Sequence, residues 1–539
     1  MHTPVPIDGH QLGLASVASV ARAGATCALT AEARAKMAES CAWVRSAARG
    51  ELTDDAGEPL AVYGVNTGYG SLARIRIPTA RSEQLSWNLI RSHAAGVGDP
   101  MPGEVVRAMM LLRANALAKG ASGCRPELVE ILCAMLEHGV TPEVPSQGSC
   151  GSSGDLAPLS HLALVIFRGP EGEDVAASGW ATLHGERLPG SVAMERVGLA
   201  RLVPGPKEGL AITNGAQLTT ALAALACWDA AQLVHTAEIA AAMSWEAIRG
   251  VTRALHPGVH ALRPYRGAVD CAADLRQLLA GSTLVDSLPD KVQDAYSIRC
   301  TPQVVGAVRD GVRFAADQVH VELNAATDNP LILLDADHPN KAYSAGLFHG
   351  EPVGMAADHL KLAVCELATL SERRIYRLTT GSLSARLPAL LVRSDRPDLG
   401  MMVPQTTAAS LVAANRAVAW PATADSIPTC EDQEDVVAMS TTAARRAREV
   451  VSNTRKVVAI ELLTAAVALQ HRLDEDASIT LGVGTRAALD AVGRVLSEAG
   501  PLPSDAIAAL DRAVGDGIIV DAVTRAAGEL SPVLDGAVI

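Results

Sequence analysis

Apolar residues recur at helical spacing through the middle of the chain. Val451, Val458, Leu462, Ala465 and Leu469 follow three-, four- and seven-residue steps, the spacing of one face of a long helix, while Arg446, Glu449, Asn453 and Lys456 occupy the other face. A second series, Met355, His359, Leu362 and Leu370, predicts a helix over 353–378 that Gly381 stops. Both stripes are read as core faces. The uncharged run from Gly209 to Trp228 carries Asn214, Gln217, several Thr and two Gly, which favours one buried core helix over a membrane span. Extended β-branched runs are few, and Ala-rich helical stretches recur from about residue 200 to 480. The expected fold is therefore mainly α: a long-helix bundle over 201–478, a loop-rich N-terminal region over 1–200 and a helical cap over 479–539. Segments rich in Gly, Pro and Ser interrupt the helices at 60–72, 143–158, 324–352 and 421–434. Loops between long helices are where chemistry can be mounted on a rigid frame.

Composition narrows the function. Of 539 residues, 49% are hydrophobic and 19% charged, which excludes a disordered chain. A formal net charge of −13 argues against nucleic acid or an anionic membrane as partner. Aromatic residues make up only 3%, so the core must be built of Ala, Leu and Val between closely spaced helices. Ten cysteines with no C-x-x-C pair fit neither a disulfide scaffold nor a structural zinc site, and the opening MHTPVPIDGHQLG lacks a signal-peptide pattern. A cytoplasmic location is expected.

Three motifs are set aside. His256 and His260 have i, i+4 spacing, but Pro257 and Gly258 are expected to break the helix that a metal pair needs, and no metal is expected. Gly482, Gly484 and Ala487 match the dinucleotide fingerprint loosely, without a β-α-β context, and read as a loop entering a helix. Ser153 misses the nucleophile elbow because Asp155 stands two residues on.

The segment 145–161, PSQGSCGSSGDLAPLSH, has Ser152-Ser153-Gly154 at its centre. With no Cβ, Gly154 permits close backbone approach. If its amide nitrogen attacked the Ser152 carbonyl, a five-membered ring would close; loss of water from the ring and from Ser153 would leave an electrophilic methylidene. Taken alone, a Ser/Gly turn is usually only a turn. This segment, however, closely resembles the signature of the aromatic amino-acid ammonia-lyase and aminomutase family, whose 4-methylidene-imidazol-5-one (MIO) forms from Ala-Ser-Gly followed by Asp-Leu-Ala-Pro-Leu-Ser. Ser152 replaces the Ala, so the resemblance implies a ring bearing a hydroxymethyl group.

The resemblance spreads over most of the chain. YGVNTGYG at 63–70 matches a family loop, with Tyr69 for Phe, and implies that Tyr63 is the catalytic base. GLAITNGAQ at 209–217 places Asn214 beside the prosthetic group, VQDAYSIRCTPQ at 292–303 brings Gln293, Tyr296 and Arg299, DNPLI at 328–332 brings Asn329, FHGEPV at 348–353 brings Phe348, and QED at 433–435 brings Glu434. By the same resemblance Ser153 supplies the methylidene, Tyr296 assists catalysis, and Asn214, Gln293 and Phe348 support the MIO. Arg299 offers a planar charged fork suited to a substrate carboxylate, and Asn329 adds a neutral donor. The family implies an ammonia-lyase/fumarase-like fold with its catalytic loops in the N-terminal region. It also implies no external cofactor, and a homotetramer whose active sites take residues from three chains.

Within the family, the two residues after Asn-Leu-x-x help to select the substrate ring. Here NLIRSHAAGV at 88–97 puts Ser92-His93 there, which resembles the histidine pattern, and Glu434 within Gln-Glu-Asp agrees. A carboxylate can hold an imidazole by a charge-assisted hydrogen bond but would sit unpaired against a phenyl ring. Thr301, Leu347 and Val436 depart from the histidine pattern. The resemblance thus implies elimination of ammonia from L-histidine to trans-urocanate, with His93 and Glu434 orienting the imidazole. Alternatives are an MIO-dependent 2,3-aminomutase, a phenylalanine or tyrosine ammonia-lyase, and a non-catalytic relative.

Overall fold

A computed structural model describes residues 3–54, 56–70, 73–393, 400–536 and 538. Four long helices, Gln217–Ala247, Thr301–Leu323, Glu351–Thr379 and Ser440–Glu475, pack along one another as the central bundle. Val451, Val458, Leu462, Ala465 and Leu469 all face its interior, as their spacing predicts. Ala is the main filler: Gln217–Ala247 buries Ala221, Ala224, Ala237 and Ala241, among others, so the helices approach closely. Polar anchors cross the core too. Buried Glu461 accepts from Ser244 at 2.8 Å, from Ser371 at 2.6 Å and from Arg374 at 2.5 and 2.8 Å, joining three helices. Such a carboxylate is tolerable only because its lone pairs are satisfied.

Shorter helices surround the bundle. Ser82–His93, Gly103–Ala118, Glu127–His138 and Leu156–Ile166 form the N-terminal part, with small sheets at its edges, such as Trp180–Leu183 paired antiparallel with Glu186–Pro189. Val483–Ser497, Pro503–Gly515 and Ile518–Ala527 close the C-terminal end. One cluster of buried apolar side chains runs from Ile7 to Val538. No helix of the described residues is long and apolar enough to cross a membrane.

Three local expectations need correction. The run 209–228 is not one helix: Glu208–Thr213 ends, and Gln217–Ala247 begins after a break at Asn214-Gly215-Ala216. The break persists because the Gly215 carbonyl accepts the Asp155 N–H at 2.7 Å and its φ of +152° leaves no room for a side chain beside Arg113 and Gln217. Secondly, the helix expected over 353–378 is present as Glu351–Thr379, and Leu370 of the expected stripe is buried, but the rest of the core face is Val353, Ala356, Ala357, Leu360, Val364 and Leu367. Met355 and Leu362 are instead 59% and 43% exposed, and His359 is exposed, because the helix is apolar on two faces and the bundle uses only one. Finally, Pro257 starts the short helix Pro257–Ala261 rather than breaking one, since proline suits a first turn; His256 is its N-cap, accepting from Gly258 N–H.

Candidate active site

The loop after Gln147 is held from several sides. Asp155, fully buried, accepts from Ser149 Oγ at 2.6 Å, Thr441 Oγ1 at 2.8 Å, Thr219 N–H at 2.8 Å and Thr219 Oγ1 at 3.0 Å. Burial pushes its carboxyl upward, and those four donors oppose the shift. The loop is thereby tied to both the Gln217–Ala247 and Ser440–Glu475 helices. Gly154, at φ +71°, lies against the Gly215 backbone, where any Cβ would collide. Beside this contact Asn214 Nδ2 donates to the Ser153 carbonyl at 2.7 Å, while the buried Asn214 Oδ1 has no hydrogen-bond partner among the described residues. The site fits an MIO: Gly154 is packed where no side chain would fit, and a buried amide donor points at the oxygen that would become the ring carbonyl.

Ser152, Ser153 and Asn214 open onto a cavity of about 540 Å3 that Tyr63, His93, Asn329, Phe348 and Glu434 also line. Tyr63 is projected by a loop folded on its own polar residues. Asn66 Oδ1 accepts from Val62 N–H at 2.8 Å, its Nδ2 donates to the Leu60 carbonyl at 2.8 Å, and Thr67 Oγ1 accepts from Gly64 N–H at 3.2 Å. The Gly70 N–H donates to the Tyr63 hydroxyl at 2.9 Å, and the Tyr69 ring packs edge-on against Tyr63 with centroids 6.3 Å apart. Burial pushes the Tyr69 phenol up.

His93 ends the Ser82–His93 helix. Its Nδ1 lies 2.9 Å from the Leu89 carbonyl, which can only accept, so Nδ1 carries the proton and Nε2 is left as an acceptor. Burial lowers its proton affinity, against the Leu89 contact and the nearby Glu434 charge. Glu434 accepts from Ser152 Oγ at 2.7 Å and from Thr429 Oγ1 at 2.6 Å. Asn329 Oδ1 accepts from Ala345 N–H at 2.8 Å, and the preceding Asp328 forms a fully buried 2.7 Å ion pair with Lys207.

Gln293, Tyr296 and Arg299 stand apart. None lines this cavity; Gln293 is exposed, Tyr296 is 70% exposed, and the Arg299 guanidinium lies over the Tyr296 ring at 4.9 Å. One chain therefore brings together the loop, Tyr63, His93, Asn214, Asn329, Phe348 and Glu434, but not Gln293, Tyr296 or Arg299.

The chain matches the model of the aromatic amino acid lyases over residues 12–494. It belongs to the aromatic amino acid lyase family. A histidine ammonia-lyase of Symbiobacterium thermophilum is 44% identical over 528 residues, covering 97% of this chain and 99% of that protein. Among solved structures, a tyrosine aminomutase of Streptomyces globisporus superposes with a TM-score of 0.88 at 34% identity, covering 98% of this chain and 100% of the other. Histidine ammonia-lyase of Trypanosoma cruzi gives 0.86 at 35%, covering 97% and 95%. The curated relatives place this lyase among carbon–nitrogen lyases.

Sequence reasoning missed several residues that shape this lyase's site. Leu89, Leu156 and Leu210 form apolar wall, and Ser344, His349, Cys430 and Gln433 add polar groups. His349 Nε2 donates to the Val436 carbonyl at 3.1 Å. Leu89 had a signal, since it lies one turn before His93, but the 344–349 and 430–433 contributions depend on how distant loops fold together. Lys207 had none: a lone lysine gives no hint of a buried partner 121 residues away.

Proposed function

We propose that this protein is a histidine ammonia-lyase, eliminating ammonia from L-histidine to give trans-urocanate and using an MIO formed autocatalytically from Ser152, Ser153 and Gly154. The observation that carries the reading is the placement of His93 and Glu434 on one cavity with Ser153: an acceptor nitrogen and a carboxylate facing the position of a substrate ring. An imidazole N–H satisfies such groups, whereas a phenyl ring would leave them desolvated and unpaired. The names of the curated relatives support the same substrate.

Once formed, the MIO supplies an electrophilic methylidene that makes the substrate amine a better leaving group. The chain's own residues do the rest. Asn214 Nδ2 holds the Ser153 carbonyl, the oxygen conjugated to that methylidene, and stabilises negative charge gathering there. Tyr63, its oxygen oriented by the Gly70 N–H, takes the β-proton as the C–N bond breaks. His93 and Glu434 hold the imidazole, Asn329 contributes to carboxylate binding, and Phe348 packs beside the ring-forming loop.

Arg299, Tyr296 and Gln293 serve a neighbouring subunit's site in a homotetramer. Their distance from this chain's cavity supports that assignment, as do the apolar residues left on the outer face of Glu351–Thr379, Met355 and Leu362, with Phe314 on the adjacent helix. The enzyme acts in the cytoplasm. A 2,3-aminomutase is the second reading, favoured by the likeness to a tyrosine aminomutase and by Thr301, Leu347 and Val436.

The test is incubation of purified protein with L-histidine, following near-ultraviolet absorbance and analysing products for α- and β-amino acids. Urocanate with stoichiometric ammonia supports the lyase. β-Histidine indicates the mutase, and no turnover of histidine overturns the substrate reading.

A further inference from the structure

Glu434 sits in a loop of unusual backbone. Cys430, Glu431 and Asp432, none of them glycine, have φ of 57°, 52° and 62°, three consecutive residues in the left-handed region. Thr429 and Glu434 close the loop with backbone hydrogen bonds of 3.0 and 3.4 Å, and Thr429 Oγ1 donates to Glu434 Oε2. Those contacts come from within the loop. The hydrogen bond that ties this carboxylate to the ring-forming tripeptide is Ser152 Oγ to Glu434 Oε2, 2.7 Å long, across 282 residues of sequence. Both hydroxyls use Oε2, and among the described residues no hydrogen bond reaches Oε1, so one carboxylate oxygen is anchored and the other is left for a ligand.

We infer that Ser152, beyond supplying a carbonyl carbon to the MIO, is a positioning residue that sets Glu434 relative to the electrophile and so helps to select an imidazole side chain. The cyclisation consumes only the Ser152 carbonyl oxygen, as water. The hydroxyl takes no part in the ring closure: it stays on the Ser152 side chain, on the Cα attached to the ring, and so remains available to Glu434. An alanine, which the family commonly has here, offers no such tether. This inference rests on the histidine reading, in which Glu434 meets the substrate ring.

The experiment compares Ser152→Ala, Ser152→Thr and Glu434→Gln with the parent tetramer. Intact mass is measured first; 3-(imidazol-4-yl)propanoate, which lacks the amine and cannot be eliminated, is then titrated by calorimetry, and KM and kcat for L-histidine are determined. Ser152→Ala should, like the parent, lie two waters below its own translated mass, yet bind the analogue about tenfold more weakly, the scale of one hydrogen bond to a charged group. KM should rise by a similar factor with kcat changed less, since ring anchoring is shared by ground and transition states. Ser152→Thr, which keeps the hydroxyl, should return binding to within about threefold of the parent. Normal mass with analogue affinity within about twofold of the parent in Ser152→Ala, while Glu434→Gln weakens binding, overturns this inference alone. An unprocessed mass for Ser152→Ala also overturns it, because the hydroxyl would then serve ring formation. If the parent fails to bind the analogue, or Glu434→Gln binds it as the parent does, the histidine reading itself falls.

Discussion

Replacing Asn214 by Ala removes the one side-chain donor on the Ser153 carbonyl among the described residues. The donor is well placed: 2.7 Å from the oxygen, on a buried residue whose own Oδ1 is unpartnered among those residues. While that oxygen is neutral, the bond is worth about 1 kcal/mol. When the oxygen takes up charge in the transition state, a buried and preoriented donor is worth about 3–4 kcal/mol. The difference of about 2–3 kcal/mol is the catalytic part, and it corresponds to a fall in kcat of about 30- to 150-fold with little change in KM. Steady-state assay of urocanate formation gives kcat, and intact mass shows whether the two waters have been lost. A variant of normal processed mass with kcat within about threefold of the parent would refute the charge-stabilising role. A variant that keeps both waters would refute it differently, by moving Asn214 from catalysis to ring formation.

Tyr63→Phe and Arg299→Ala should each abolish turnover, yet co-expression of the two should restore up to about a quarter of parental activity, because random mixing gives that fraction of sites both an intact Tyr63 and an intact Arg299 from different chains. No recovery in mixed tetramers would place the two residues in one chain's site. Met355→Glu puts a charge on the outward face of Glu351–Thr379, where the residue is 59% exposed in the single chain; sizing should show smaller assemblies with unchanged helical content by circular dichroism. Glu238 supplies a pH-dependent stability test. Burial pushes its carboxyl up to about 7, with the Arg309 charge opposing and Asp274 adding to the shift. Because the folded-state value lies above the unfolded one, the contribution is full at low pH and is lost as pH rises through about 7. The thermal midpoint of the parent should therefore fall between pH 5 and pH 8 by more than that of Glu238→Gln, and parallel profiles would contradict the assignment.

The helical period of 451–469 translated directly into a buried face because that helix meets neighbours on the side the stripe occupies. Of the 353–378 stripe only Leu370 reaches the core, for the opposite reason: two adjacent faces are apolar, and pattern alone does not say which one the bundle takes. Asn214 shows a subtler limit. Helix periodicity placed it inside a continuous helix, but Gly215 breaks that helix to meet Gly154 and Asp155, and the break leaves Asn214 against the Ser153 carbonyl. Local propensity was overruled at the point where the backbone must carry chemistry. Ser152 was legible as a departure, but the acceptor of its hydroxyl was not, since that needs the fold of the 429–434 loop.

The three departures from the histidine pattern are unequal once they have positions. Thr301 is fully buried at the start of Thr301–Leu323 and donates to the Ser297 carbonyl at 3.2 Å, so its side chain serves the local turn and does not line the cavity. Leu347 also lies outside the cavity lining and is exposed. Val436 alone of the three borders the cavity, yet it is 64% exposed, and what it gives to a neighbour is its backbone carbonyl, which accepts from His349. None of these side chains brings a polar group that competes with His93 or Glu434 for a substrate ring. Leu347 and Val436 are exposed in the single chain, so in the proposed homotetramer it is they, and not the buried Thr301, that would be open to contact with a neighbouring subunit.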